Sequence, residues 1–158
     1  MAFKDAVIAE SVGLSSGELL PNTNGLTLAF ETFEDGLVQG RFVKYDNGSI
    51  DNLDGSATPQ IAGITRRLIA GEVGVSTYRT TGDLPNSVAE VITTGFATVD
   101  VVAGVTPTKY GIAYAENQTA GEFGKATTVA TNNVDSGWVF WKEVATNVWL
   151  VAKKELVA

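Results

Sequence analysis

The 158-residue chain contains no cysteine and no histidine. Without thiols there are no disulfides and no thiolate metal sites, and without imidazole there is no histidine base and no common zinc site. Most familiar hydrolase mechanisms are closed by those two absences, so no enzyme activity, catalytic residue, cofactor or metal is expected. Long apolar runs are also missing. No stretch approaches the roughly 20 residues that a membrane-crossing helix needs, and Met1 to Gly13 never becomes the continuous apolar run of a signal peptide. The expectation is a protein made in the cytosol and soluble there, with no membrane partner. Basic residues are few: 11 Lys and Arg stand against 18 Asp and Glu, a net charge of −7. Residues 1 to 60 hold three basic and nine acidic side chains, net −6, which leaves −1 for the remainder. Binding to nucleic acid requires a basic stripe that displaces counterions from phosphates. The adjacent basic pairs Arg66-Arg67 and Lys153-Lys154 do not make one, so no nucleic-acid partner is expected. Both pairs read as solvated strand faces that discourage edge-to-edge association, with an interface ion pair as the alternative for Arg66 or Arg67.

What the chain does have is strand chemistry. From Leu26 onward, runs rich in Val, Thr, Ile and aromatics are cut at short intervals by Gly, Pro and Asn, with no sustained 3.6-residue periodicity. One domain of this length buries about 68–70% of its unfolded surface, enough for a core without staples. The pattern predicts an all-β fold, a single antiparallel barrel or sandwich, jelly-roll-like or a related small barrel. Strands are expected over Leu26–Phe33, Gly36–Tyr45, Ile61–Ile69, Gly71–Tyr78 and Val88–Val102, with loops over Asp51–Thr58 and Thr80–Asn86. Asn47-Gly48 is the preferred pair for a type I′ turn and places Tyr45 opposite Ile50. Gly95, inside a strand pattern, marks a bulge or a corner where the sheet folds over.

The first 25 residues differ from the body and read as an N-terminal arm and hinge, with residues 26–158 as the β-domain. Phe3, Val7 and Ile8 fall on one side of a segment too short to hold a helix alone, so it must pack on something. Gly13 to Gly25 is turn chemistry around a two-leucine anchor, Leu19-Leu20. At the other end, Trp138 and Phe140 share one strand face and Val139 and Trp141 the other. After a polar turn, Lys142 to Asn147, a last strand sets Trp149 beside Val151. The three tryptophans read as core. A strand with bulky groups on both faces leaves a second face for an oligomer or partner interface, or for stacking on a sugar.

Several stretches imitate chemistry. Gly121 to Ala126 resembles the end of a phosphate-binding loop, but Thr119 and Ala126 stand where Gly and Ser or Thr are needed, so it reads as a turn. The oxygen-rich Asp46-Asn47-Gly48 and Asp51 to Gly55 lack calcium-loop spacing. Glu31, Glu34 and Asp35 read as a solvated strand end rather than the paired carboxylates of a glycosidase. Asn47-Gly48-Ser49 and Asn117-Gln118-Thr119 match the glycosylation sequon without a secretory signal and read as turns.

The run Gly95-Phe96-Ala97-Thr98-Val99-Asp100-Val101, then Val105 to Tyr114, then Gly121-Glu122-Phe123-Gly124, resembles the tailed-phage capsid decoration proteins, also called structural cement proteins. Upstream, Gln60-Ile61-Ala62-Gly63-Ile64-Thr65-Arg66-Arg67 is similar to that family's apolar-Gly-Ile segment before a basic residue. Where many members carry Asp after the glycine matching Gly111, this chain has Ile112; where they carry Gly before the final strand, it has Asn147-Val148. The resemblance implies a non-enzymatic virion protein, synthesised in the host cytoplasm and placed on the capsid exterior, that fastens neighbouring major capsid subunits. It also implies a homo-oligomer, with a trimer favoured over a dimer. Phe3, Lys4, Val7, Ile8, Arg66, Arg67, Trp138, Trp141 and Trp149 are the candidate contacts to capsid or sister subunit. The alternative is a tail or fibre component, or a glycan-binding β-module.

Overall fold

The computed structural model describes residues 16–17, 19–20, 25–32, 37–66 and 87–157. Among the described residues, ten strands form two five-stranded sheets packed face to face. The first contains β1 (Leu26–Thr32), β2 (Phe42–Asp46), β3 (Ser49–Asn52), β4 (Ile61–Thr65) and β5 (Ser87–Thr94). It closes on itself in the order β1-β3-β2-β4-β5. Its neighbours are antiparallel except where β1 meets β3 in parallel at Thr32↔Ile50. The second sheet is open, in the order β6 (Phe96–Asp100), β10 (Val148–Lys153), β9 (Val134–Ala145), β7 (Ile112–Ala115) and β8 (Ala126–Thr127). A parallel bridge from Val101 to Ala126 curls its two ends toward each other. One short helix, α1 (Lys154–Val157), ends the described chain.

The expected all-β barrel or sandwich is present, and two local features decide its shape. Asn47 and Gly48 both hold positive φ, 47° and 87°, so the β2–β3 hairpin turns as type I′ with Tyr45 opposite Ile50. Gly95 is the corner where the chain leaves the barrel and enters the open sheet. Its φ of 110° and the 2.6 Å that would separate an added Cβ from the Gly25 Cα leave no room for a side chain.

Some boundaries differ from expectation. Asp51 and Asn52 belong to β3 rather than a loop, because they pair with Lys44 and Val43. The segment Lys142 to Asn147 is not a turn. β9 runs on to Ala145, with Lys142 and Glu143 laddered against Leu150 and Trp149 through two bulges, and only Thr146-Asn147 turns the chain. Polar side chains are tolerated there because both are at least partly exposed. The strand expected over Gly71–Tyr78 and the loop over Thr80–Asn86 lie outside the described residues.

The core is layered. Val43, Ile50, Ala62, Val91 and Leu37 cluster on one face of the barrel sheet. Between the two sheets, Phe42, Leu53, Ile64 and Ile92 meet Val99, Ala113, Trp138, Phe140 and Val151. The outer face of the open sheet is buried as well, under a cluster containing Phe96, Val139, Trp141, Val144 and Leu150, joined by Leu20 and, from α1, Val157.

Candidate docking surfaces

Gly17, Leu19 and Leu20 are built onto the edge of β6. Gly17 N–H donates to Thr98 O at 2.8 Å, Leu20 N–H donates to Phe96 O at 2.9 Å, and Leu19 bridges Ala97. Alternation then sends Leu20 into the outer cluster and Leu19 against the inner one, so the leucine pair grips both faces of the sheet. Beside it, the Arg41 guanidinium donates to Gly121 O at 3.0 Å and Phe123 O at 3.1 Å, and lies 4.0 Å from the Asp100 carboxylate. With Phe42 N–H donating to Gly124 O at 2.7 Å and Asp100 N–H to Gly40 O at 2.8 Å, this clasp ties barrel, open sheet and the 119–125 turn together. Burial pushes the Asp100 carboxyl above its ordinary range, an effect partly offset by its hydrogen bond to Ser16 and by Arg41. At the far end of the barrel, hydrogen bonds from Lys44 and Ser56 hold Asp54 well below the usual carboxylate range.

Among the described residues, the open sheet's outer face carries the most exposed large ring. Tyr110 is 54% exposed and stands edge-on to Trp141 at 5.3 Å. The Lys109 ammonium lies 4.3 Å from the Trp141 ring centroid. Tyr110 takes φ 69°, a left-handed conformation that costs a bulky residue on the order of 1–3 kcal/mol. Its N–H donating to Phe140 O, and Gly111 N–H donating to Thr108 O, hold it there. Further apolar exposure falls on Leu26, Leu28 and Tyr45 of the barrel and on Val129.

An open groove of about 700 Å³ runs between residues 55–59, 117–118 and 132–135. Three of its four side-chain amides, those of Asn117, Gln118 and Asn133, are occupied by the chain itself. Asn117 accepts from Gly55 N–H and donates to Ser56 O, Gln118 donates to Thr131 O, and Asn133 accepts from Asn117 N–H and donates to Glu116. The groove is a seam where loops are stitched, and no tryptophan lines it.

Of the nine candidate contacts four are described, and those four do not converge. Phe3, Lys4, Val7, Ile8 and Arg67 lie outside the described residues. Arg66 pairs with Glu90 of the neighbouring strand at 2.8 Å. Trp138 and Trp141 are 1% and 5% exposed, buried by this chain's own inner and outer clusters, and so have almost no surface left for a partner or a sugar. Trp149 is half-buried, edge-on to Phe140 at 5.6 Å. Tyr110 and Lys109 were missed by sequence reasoning. An aromatic next to Gly, three residues after Pro107, was the available signal.

Comparison with known proteins decides what kind of molecule this is. Residues 14–152 match the family model described as XM1 gp53 minor capsid protein. The chain belongs to that family. A solved chain in the structure entitled "The capsid of Myoviridae Phage XM1" shares 47% identity with it, over 99% of this chain and 100% of that one, with a TM-score of 0.83. No curated protein gives a significant match. The expected kinship with tailed-phage capsid accessory proteins is borne out, and this minor capsid protein is a structural component of a phage capsid and of the virion.

Proposed function

We propose that this minor capsid protein is a non-enzymatic decoration protein that binds the outside of an icosahedral head and bridges neighbouring major capsid subunits. The observation that carries the reading is the whole-length likeness, at 47% identity and TM-score 0.83, to a chain of a phage capsid. Its mechanism is linkage. A protein that binds the assembled shell and not its separated subunits stabilises the shell by mass action, about 2.7 kcal/mol per site at a hundredfold excess over the dissociation constant. Repetition over the shell makes the total large. The working unit is a homotrimer at threefold or quasi-threefold positions, with a dimer as the second choice. The segment Met1–Ser11 acts as a docking arm whose Phe3, Val7 and Ile8 are buried against capsid or sister subunit. The attachment of Gly17, Leu19 and Leu20 to β6 supports that role, because it offers such an arm a fixed root. A glycan-binding module would need an exposed tryptophan ringed by amides. Trp138 and Trp141 are buried, and the amide-lined groove has no tryptophan, so nothing favours that reading.

The test is incubation of purified protein with undecorated, expanded capsids, followed by sedimentation. Saturable, stoichiometric binding is expected, and its absence overturns the reading. Deleting residues 2–11 should weaken decoration sharply and leave the Tm of the isolated protein nearly unchanged. Burying three apolar side chains is worth about 1.5–3 kcal/mol each before ordering costs, while the core stays intact.

A further inference from the structure

The described cations divide by position. Arg41, Lys44, Arg66 and Lys125 each lie within 4.0 Å of a carboxylate, on Asp100, Asp54, Glu90 and Glu122. Four described lysines meet no carboxylate among the described residues: Lys153, which lies over the Trp138 ring of the inner layer, Lys154 on α1, and Lys109 and Lys142, which alone belong to the outer face of the open sheet. Lys142 is brought there by the bulge that sets it opposite Leu150, a member of the outer cluster, while Trp141 beside it has no register partner. Lys109 is held over the Trp141 ring, and Tyr110 projects between solvent and that same ring. In a chain of net charge −7, one such ammonium over the Trp141 ring and another on the next residue of β9, beside an aromatic that is 54% exposed, form a small patch of opposite sign. The patch is also rigid. Its floor is a buried tryptophan braced edge-on by Phe96 at 5.2 Å, and the Tyr110 backbone is tied to β9.

Given the decoration reading above, on which this step rests, we propose that the Tyr110 face docks an acidic segment of the major capsid protein. Carboxylates of that segment pair with Lys109 and Lys142, and an apolar side chain lies on the Tyr110 ring. Aromatic anchors between complementary charges are the usual composition of an interface centre, and close charge pairs there set both affinity and partner choice. Two lysines on an acidic chain are too few to hold a nucleic-acid backbone, which leaves carboxylates as the matching anion.

Capsid cosedimentation of four proteins tests this: wild type, Lys109→Glu/Lys142→Glu, Tyr110→Asn, which tolerates the left-handed backbone, and Lys154→Glu as a charge control on α1. The double reversal and Tyr110→Asn should each raise the half-saturating concentration by on the order of tenfold or more. The double reversal should also flatten the salt dependence, and the control should bind as wild type does. In case a variant folds poorly, acetylation footprinting of the wild-type protein gives an independent reading, in which added capsids protect Lys109 and Lys142 but not Lys154. Wild-type binding with unchanged variants, or with no protection, overturns this face and leaves the decoration reading standing. Failure of wild type to bind overturns both. Variants that bind capsids normally but change the oligomeric mass by light scattering assign the face to a sister copy and overturn the capsid segment as occupant.

Discussion

The closed barrel and the open sheet solve the same burial problem in different ways. The barrel sheet's own cluster is five aliphatic residues, Leu37, Val43, Ile50, Ala62 and Val91, with no aromatic among them. Three of the exposed large apolar side chains, Leu26, Leu28 and Tyr45, are on its strands. The open sheet is buried on both faces and holds all three tryptophans, two of them nearly inaccessible. Closure pairs the barrel's strand edges with one another, and its own cluster is filled by aliphatic side chains alone. This open sheet is covered on both faces, and large rings do that with few residues. Stability should therefore be concentrated in the open sheet and the layer beneath it.

The largest effect should come from removing the corner that lets the two halves differ. Gly95→Val places a Cβ against the Gly25 backbone at a φ that β-branched residues avoid. Urea unfolding should show a loss of about 3 kcal/mol or more, or no soluble protein. Trp138→Ala, in the layer between the sheets, should cost about 3–5 kcal/mol. A like-for-like pair carries the contrast: Leu150→Ala in the open sheet should cost more than Leu37→Ala in the barrel cluster, both within about 2–5 kcal/mol, and equal losses would erase it. Next comes the clasp between the halves. Arg41→Ala strands two carbonyls and leaves Asp100 without its cation, so a loss of about 2–4 kcal/mol is expected. Adding Asp100→Asn should recover part of it, a coupling that a double-mutant cycle measures.

The smallest effects concern acid, and they have opposite signs in the two halves. Asp54 of the barrel has a depressed folded pKa, so its contribution is present above the unfolded value of about 3.9 and is lost as pH falls through the folded value. Because Asp54 is more than half exposed, Asp54→Asn should lower neutral-pH stability by no more than about 1 kcal/mol, with the difference vanishing in strong acid. Asp100 of the open sheet has a raised folded pKa. Between the unfolded value and that raised one, the folded state binds more protons, so stability falls as pH rises across the window. Asp100→Asn should therefore stabilise the protein at neutral pH and match wild type below the unfolded value. Thermal melts across pH check both signs.

The features legible in the sequence were those whose cause is local. Asn47-Gly48 specified a turn because both residues tolerate positive φ, and that turn set the Tyr45↔Ile50 register. Gly95 announced a corner for a similar reason, and the alternation around Trp138 to Trp141 correctly assigned side chains to the two faces of one strand. Leu19-Leu20 stood out as an anchor because two large apolar residues sat in turn chemistry. Tertiary structure alone decided which sheet each strand joins and how the barrel closes, through the single parallel pair Thr32↔Ile50. It also decided that Arg41 reaches carbonyls eighty and more residues away, and that Lys109 and Tyr110 share one exposed face above Trp141. Neighbouring residues determine a turn because a turn is a property of their own φ and ψ. The partner of a strand edge, and the side chains left uncovered once all edges are paired, depend on contacts between segments far apart in the chain, which no short window of residues encodes.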